Sequence, residues 1–146
     1  MTIRRAQHED LPAVKLLVDE LEETVLDEVD FERVFKKNLL LETHHYFLVW
    51  DENKPLALLS MVFSDHLHHA KTICEIQELV VTAAYRNQKI GEKLIEFAKN
   101  YCKKKEVDQI ELSSNFLRTK AHQFYLRQGF TRRHYKFVWK LATAES

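Results

Sequence analysis

The sequence predicts an α/β (α+β) fold: a single mixed central sheet flanked by helices, in the order β-α-α-β-β-β-α-β-α-β-β. Three observations predict it. Short strand-like runs alternate with segments whose apolar residues recur at helical spacing. Three of the strands follow one another directly, the first two across the four-residue turn Asp51-Glu52-Asn53-Lys54. The 146 residues are 45% apolar, with no internal repeat, linker or low-complexity segment, enough for one core.

Thr2 to Ala6 reads as a strand. Asp10 caps the next helix, Pro12 fits its first turn, and Leu11, Val14, Leu17, Val18 and Leu21 mark its apolar stripe. Phe31, Val34, Phe35, Leu39 and Leu40 mark a second helix. Tyr46–Trp50 and Pro55–Phe63 form a hairpin, and Thr72–Val81 is the third strand of the group. Ile90, Leu94, Phe97, Ala98, Tyr101 and Cys102 define the third helix. Val107–Ser113 is a strand, and Thr119–Gln128 is a short helix that stops at Gly129. Phe130–Leu141 contains two strand-like pieces around Arg132-Arg133.

Composition excludes several classes. No run of 18 apolar residues occurs, so no transmembrane helix is expected, and the first ten residues lack the apolar stretch of a signal peptide. Cys74 and Cys102 are far apart and form no CxxC, which argues against a disulfide framework or zinc knuckle and for a cytoplasmic location. The net charge of zero hides an asymmetry. Residues 1–73 carry 8 Lys and Arg against 14 Asp and Glu, and the second half reverses the balance. The acids concentrate between Asp19 and Glu32, where no Lys or Arg intervenes. Such a stretch attracts a cation such as an amine, or is a solvated helix face; the basic half suits an anionic, phosphorylated ligand. No basic stripe with interleaved aromatics is present, so nucleic acid is not the expected partner.

The chemistry concentrates at residues 78–94. The apolar strand ending Glu78-Leu79-Val80-Val81 runs through a short loop into an amphipathic helix. A helix N-terminus offers unpaired N–H groups and a positive dipole end, a seat for a pyrophosphate. Gly91 permits close approach of a ligand or neighbouring strand, and Arg86 adds a charge.

Arg86-Asn87-Gln88-Lys89-Ile90-Gly91 resembles the Q/R-x-x-G-x-G/A loop of the GNAT family of N-acetyltransferases. Ala121-His122-Gln123-Phe124-Tyr125-Leu126-Arg127-Gln128-Gly129-Phe130 resembles that family's A-x-x-F-Y-x-x-x-G-F stretch. The resemblance implies a GNAT-like fold and a single acetyl-CoA-dependent domain over residues 1–146. It implies that the loop from Arg86 to Glu92 binds the pyrophosphate of acetyl-CoA and that the backbone of Leu79, Val80 and Val81 holds the pantetheine arm and thioester. Asn115 matches a position that bonds the pantetheine or anchors its loop; otherwise it caps the following helix. One position departs from the pattern: Lys89 stands where the family has its middle glycine. A residue other than Gly or Asn held there at positive φ costs about 1–3 kcal/mol. Either the loop takes another path, or a Lys89–phosphate pair offsets the cost. Within the family, His66-Leu67-His68-His69, Glu75–Val81 and Phe124–Phe137 resemble the branch that acetylates aminoalkylphosphonates, a branch associated with divalent metal.

Acetyl transfer to a primary amine needs a base, an oxyanion donor and an acid for the leaving thiolate. The resemblance makes Tyr125 the acid; otherwise it is a core aromatic beside Phe124. The N–H of Val80 or Val81 is the expected oxyanion donor. Glu75 and Glu78 are the candidate bases, directly or through a water. Three apart on a regular strand, they face opposite ways unless a bulge intervenes; their other reading is a cross-strand charge pair. His66 and His68 share a strand face, but zinc takes three or four ligands, so no tight structural metal is expected. A catalytic or substrate-bridged ion, with Glu75 or a phosphonate as further ligand, stays open. Arg118, His134 and Lys136 are the cations available to a phosphonate or to solvent.

The expected function is acetyl transfer from acetyl-CoA to a small primary amine by direct attack in a ternary complex, with an aminoalkylphosphonate as first choice. A polyamine, amino sugar or aminoglycoside keeps the chemistry and uses the acidic stretch. An acetyl-CoA-binding sensor without turnover is the reading from another class. The resemblance also implies a homodimer paired through C-terminal strands.

Overall fold

A computed structural model describes residues 1–141. Five strands form one sheet in the order β1-β2-β3-β4-β5. They are β1 (Thr2–Arg5), β2 (His44–Asp51), β3 (Lys54–His66), β4 (Lys71–Val81) and β5 (Gln109–Leu112). The first four pair antiparallel and β5 pairs parallel to β4, so the sheet is mixed as expected. Helices α1 (Leu11–Glu22) and α2 (Glu28–Leu39) precede β2, α3 (Ile90–Lys103) joins β4 to β5, and α4 (Thr119–Arg127) follows. The chain divides into two compact units, Met1–Leu112 and the residues from Ser113 onward.

In the first unit, alternation along the strands supplies two apolar faces. Tyr46, Leu48, Leu58 and Val80 pack with Val14 and Leu17 of α1 and Phe35 of α2. On the other face Phe47 meets Phe97 and Tyr101 of α3 edge-on, with ring centroids 4.8 and 5.2 Å away. Buried Leu94, Ile95, Ala98 and Cys102 complete that face of α3. Cys74 and Cys102 are buried free thiols.

Asp10 occupies the N-cap position of α1, but its side chain makes no cap bond. Its carboxylate accepts two bonds from the Arg4 guanidinium, at 2.7 and 2.9 Å, and one from the Gln7 N–H, at 2.7 Å. A nearby guanidinium offers two parallel charged donors, which outcompete a single cap bond. The cap on α2 is Asp27, which accepts from the Asp30 N–H at 2.9 Å.

In the second unit, α4 ends as the glycine predicts. Gly129 has φ 96°. The Phe130 N–H reaches the Tyr125 carbonyl at 3.1 Å and the Gly129 N–H reaches the Leu126 carbonyl at 3.1 Å. This is a Schellman closure, and the Tyr125 and Phe130 rings supply its apolar contact at 6.0 Å. The two expected strand pieces after Phe130 are not formed: residues 130–141 contain no strand. Tyr135, Phe137 and Trp139 are instead 92, 92 and 90% exposed. A strand needs a partner for its backbone groups, and none pairs with this segment among the described residues.

Candidate active site

Glu78 is positioned by an irregularity in β4. Ser60 pairs with Glu78, but the next residue of β3, Met61, pairs with Ile76, so Gln77 is an extra residue in β4. Glu75 pairs with Val62, two residues beyond Ser60. Pairing partners share a face, so the bulge returns Glu75 and Glu78 to the same side of the sheet. The condition under which both glutamates can serve one site is therefore met.

The two differ in environment. Glu78 accepts a bond from the Ser60 hydroxyl at 2.6 Å, while the Ser60 Oγ accepts from the Glu78 N–H at 2.9 Å. Ser60 is wholly buried. The Glu78 carboxyl opens into a cavity of about 110 Å³ between α1, α2 and the sheet, among Val14, Val18, Phe35, Tyr46 and Leu58. Burial holds the Glu78 carboxyl above the ordinary glutamate range. The charges of Glu22 and Glu75 push the same way, and the Ser60 bond opposes them. Glu75 accepts from the Gln77 side-chain amide at 2.9 Å.

Beyond the glutamates, β4 outruns its neighbour. Pairing with β5 ends at Ile76 opposite Leu112, leaving the β5-facing edge of Leu79, Val80 and Val81 without a strand among the described residues. Such an edge takes an extended ligand with amide groups. The chain then turns through Thr82–Lys89 into α3. Arg86, Asn87, Gln88, Lys89 and Glu92 are exposed, while Ile90 is buried and anchors the helix start. Gly91 lies in the first turn, where backbone N–H groups have no intrahelical acceptor. Asn87 and Lys89 both have left-handed backbones, at φ 71° and 63°. The loop thus keeps a conformation that favours glycine at position 89 although lysine occupies it.

Arg86 has partners within the protein. It donates to the Val81 carbonyl at 3.1 Å and to Glu20 at 3.1 Å. Glu20 also accepts from the Thr82 hydroxyl at 2.8 Å and the Ala83 N–H at 2.9 Å. Sequence reasoning missed Glu20, because the acidic run offers no mark that separates it from its neighbours. Much of that run has local work. Asp19 accepts from Lys15 at 2.7 Å and from the Leu26 N–H at 3.0 Å, and Asp27 caps α2. Ser60 was missed too, although a lone hydroxyl within the apolar run Leu56–Val62 is a legible signal.

In the second unit, Tyr125 packs edge-on against Phe124 at 5.6 Å. Burial raises its phenol above the usual range, and Arg118 opposes that rise. Asn115 turns its side chain back on its own loop, accepting from the Leu117 N–H at 2.9 Å. Its backbone carbonyl is 2.8 Å from His122 Nε2. In the β3–β4 turn the structure corrects the premise that only two histidines converge. One ligating atom each from His66, His68 and His69 lies within 4.8 Å of the others.

No helix among the described residues is long and apolar enough to cross a membrane. Residues 11–130 match the model of the Acetyltransferase (GNAT) family. The chain is 39% identical over 136 residues, 93% of its length and 88% of the relative's, to Aminoalkylphosphonate N-acetyltransferase of Salmonella typhimurium strain LT2. Its fold matches a transcriptional regulator from Bacillus halodurans C-125, at a TM-score of 0.87 and 21% identity over 96% of this chain and 99% of that one. It also matches the aminoglycoside acetyltransferase meta-AAC0020, from an uncultured soil metagenomic sample, at 0.81 and 21% over 97% and 96%. The family match over residues 11–130 and the 39% identity over 93% of the chain show the family: this chain belongs to the GNAT family of N-acetyltransferases, enzymes that use acetyl-CoA as co-substrate.

Proposed function

We propose that the chain acts as one cytoplasmic domain that acetylates the primary amine of a small aminoalkylphosphonate by direct attack in a ternary complex. The observation that carries the chemistry is the half-buried Glu78, which lines a small, mainly apolar cavity and precedes the stretch of β4 that β5 leaves unpaired. The likeness to the Salmonella protein over 93% of the chain supports the choice of amine. In this reading Leu79–Val81 and the loop from Arg86 to Glu92 hold acetyl-CoA. Asn115 orders the loop before α4.

An alkylammonium has a pKa near 10 and must lose a proton before its nitrogen attacks. Glu78 takes that proton, directly or through a water near Glu75. Its raised pKa brings the base closer to neutral pH, where proton transfer is more effective. The C–N bond forms as the carbonyl oxygen gains charge, and the N–H of Val80 or Val81 donates a hydrogen bond to that oxygen. The nitrogen then gives up its second proton to water, the C–S bond breaks, and the thiolate takes the proton that burial keeps on Tyr125 at neutral pH, the phenolate being reprotonated from solvent.

Thiol release from acetyl-CoA against an amine panel tests this. Turnover is expected with 1-aminoethylphosphonate or 2-aminoethylphosphonate. Turnover only with spermidine, glucosamine or an aminoglycoside refutes the substrate. Tyr125→Phe is expected to lower kcat while leaving acetyl-CoA affinity unchanged; full activity refutes the acid role.

We further propose a homodimer. Tyr135, Phe137 and Trp139 are exposed and two residues apart, so in an extended segment they form one apolar face. A second copy of this chain covers that face. Sedimentation is expected to give twice the chain mass, and Trp139→Ser to shift it toward monomer. A wild-type monomer at micromolar concentration refutes the pairing.

A further inference from the structure

The turn between β3 and β4 holds a cluster to which the proposed acyl transfer assigns no role. The Ala70 N–H reaches the His66 carbonyl at 2.8 Å and the Leu67 carbonyl at 3.1 Å, and the His69 N–H reaches the His66 carbonyl at 3.2 Å. This tight winding puts the three imidazoles together. Ring centroids are 5.3 Å apart for His66 and His68, 5.9 Å for His66 and His69, and 4.4 Å for His68 and His69.

Two further observations point to a ligand. His66 Nδ1 is buried with no hydrogen-bond partner, while the Nε2 of the same ring is 3.0 Å from the Ser64 hydroxyl. Where Nε2 donates to Ser64, Nδ1 carries a free lone pair, the form that binds a metal. A carboxylate also stands by: Glu111 of β5 is 3.9 Å from His69 Nε2 and accepts from the Gln109 side-chain amide at 2.5 Å. The Gln109 bond aims Glu111 as an outer-shell partner would.

We propose that His66, His68 and His69 bind one divalent late first-row transition ion, with Glu111 as fourth ligand or as the acceptor that orients His69. Imidazole donors suit Zn²⁺, Co²⁺ and Ni²⁺ and disfavour Mg²⁺ and Ca²⁺. Metal–nitrogen bonds of about 2.1 Å place tetrahedral ligand atoms roughly 3.4 Å apart. The donor atoms here lie within 4.8 Å, and His68 is exposed and free to close the difference by side-chain rotation. An ion there joins the turn to β5. It sits six residues along β3 from Ser60, about 20 Å between Cα atoms, so the cluster can be altered without touching Glu78.

The test is a titration of EDTA-treated protein with CoCl₂ in the absence of acetyl-CoA and amine. Binding is read by the visible absorption of tetrahedral Co²⁺ and by competition with Zn²⁺. One ion per chain is expected, displaced by Zn²⁺ and not by Mg²⁺, with melting temperature rising as the ion binds. The His68→Ala/His69→Ala pair is expected to weaken binding at least 100-fold while keeping the apo melting temperature; His122→Ala leaves binding unchanged. Absence of stoichiometric binding overturns the proposal, as does wild-type affinity in the double variant.

Discussion

Lys89→Gly tests the backbone of the loop before α3. Lys89 has φ 63° and ψ 20°, a left-handed conformation in which a Cβ crowds the following carbonyl. That crowding costs about 1–2 kcal/mol for a residue other than glycine. Glycine removes it but gives the unfolded chain more freedom, which takes back about 0.5–1 kcal/mol. The net expectation is a gain of about 0.5–1 kcal/mol, or roughly 2–3 °C in melting temperature for a chain of this length. Lys89→Ala separates the two properties of the side chain, since it removes the ammonium and keeps the Cβ. It should melt at or slightly below the wild type. Acetyl-CoA affinity, measured by calorimetry at two salt concentrations, then isolates the charge: a salt-dependent loss shared by both variants belongs to the ammonium. A Lys89→Gly protein that melts 3 °C or more below the wild type would refute the strain argument, and a loss of affinity confined to the glycine variant would refute the charge argument.

Glu78→Gln should lower turnover by about 10²–10⁴-fold with acetyl-CoA affinity unchanged. In the wild type, the acidic limb of kcat/KM should lie above the ordinary glutamate range. Because the folded pKa of Glu78 is raised, its contribution to stability is present below the unfolded pKa and is lost as pH rises through the folded value. Denaturant melts should therefore show Glu78→Gln as the more stable protein at neutral pH, and equal stability there argues against burial as the cause of the shift. Gly129→Ala should cost about 1–2 kcal/mol, because alanine at φ 96° strains the Schellman closure of α4; urea melts check it. Asp10→Asn should cost about 1 kcal/mol after allowing for the half-exposed Arg4 partner. The Arg4 bonds hold the Asp10 carboxyl below its usual range, so this contribution is present above the unfolded pKa and fades as pH falls through the folded one. The difference between the Asp10→Asn and wild-type melts should shrink in acid.

The sequence alone determined the order and kind of nine elements, because each carries its own local signal. Leu11, Val14, Leu17 and Val18 repeat at helical spacing, Tyr46–Trp50 is a β-rich run, and Gly129 supplies the one backbone that ends α4 without strain. The loop Arg86–Gly91 was legible for a similar reason, since a helix start after an apolar strand is a local feature. What tertiary structure alone decided was which distant residues meet. The bulge at Gln77 depends on the register between β3 and β4, and only that register puts Glu75 and Glu78 on one face and Ser60 against Glu78. The Glu20–Arg86 pair spans α1 and the loop after β4, and no spacing rule reaches so far. Asp10 holds the cap position that its sequence predicts, but its carboxylate bonds Arg4 of β1, a partner that helix signals do not name. Residues 131–141 have the composition of strands, yet strand formation depends on a partner edge that the segment's own residues do not specify. Local sequence determines what a segment can form on its own; pairing, register and burial depend on the rest of the chain, and in this protein they decide that Glu78 rather than Glu75 meets the Ser60 hydroxyl.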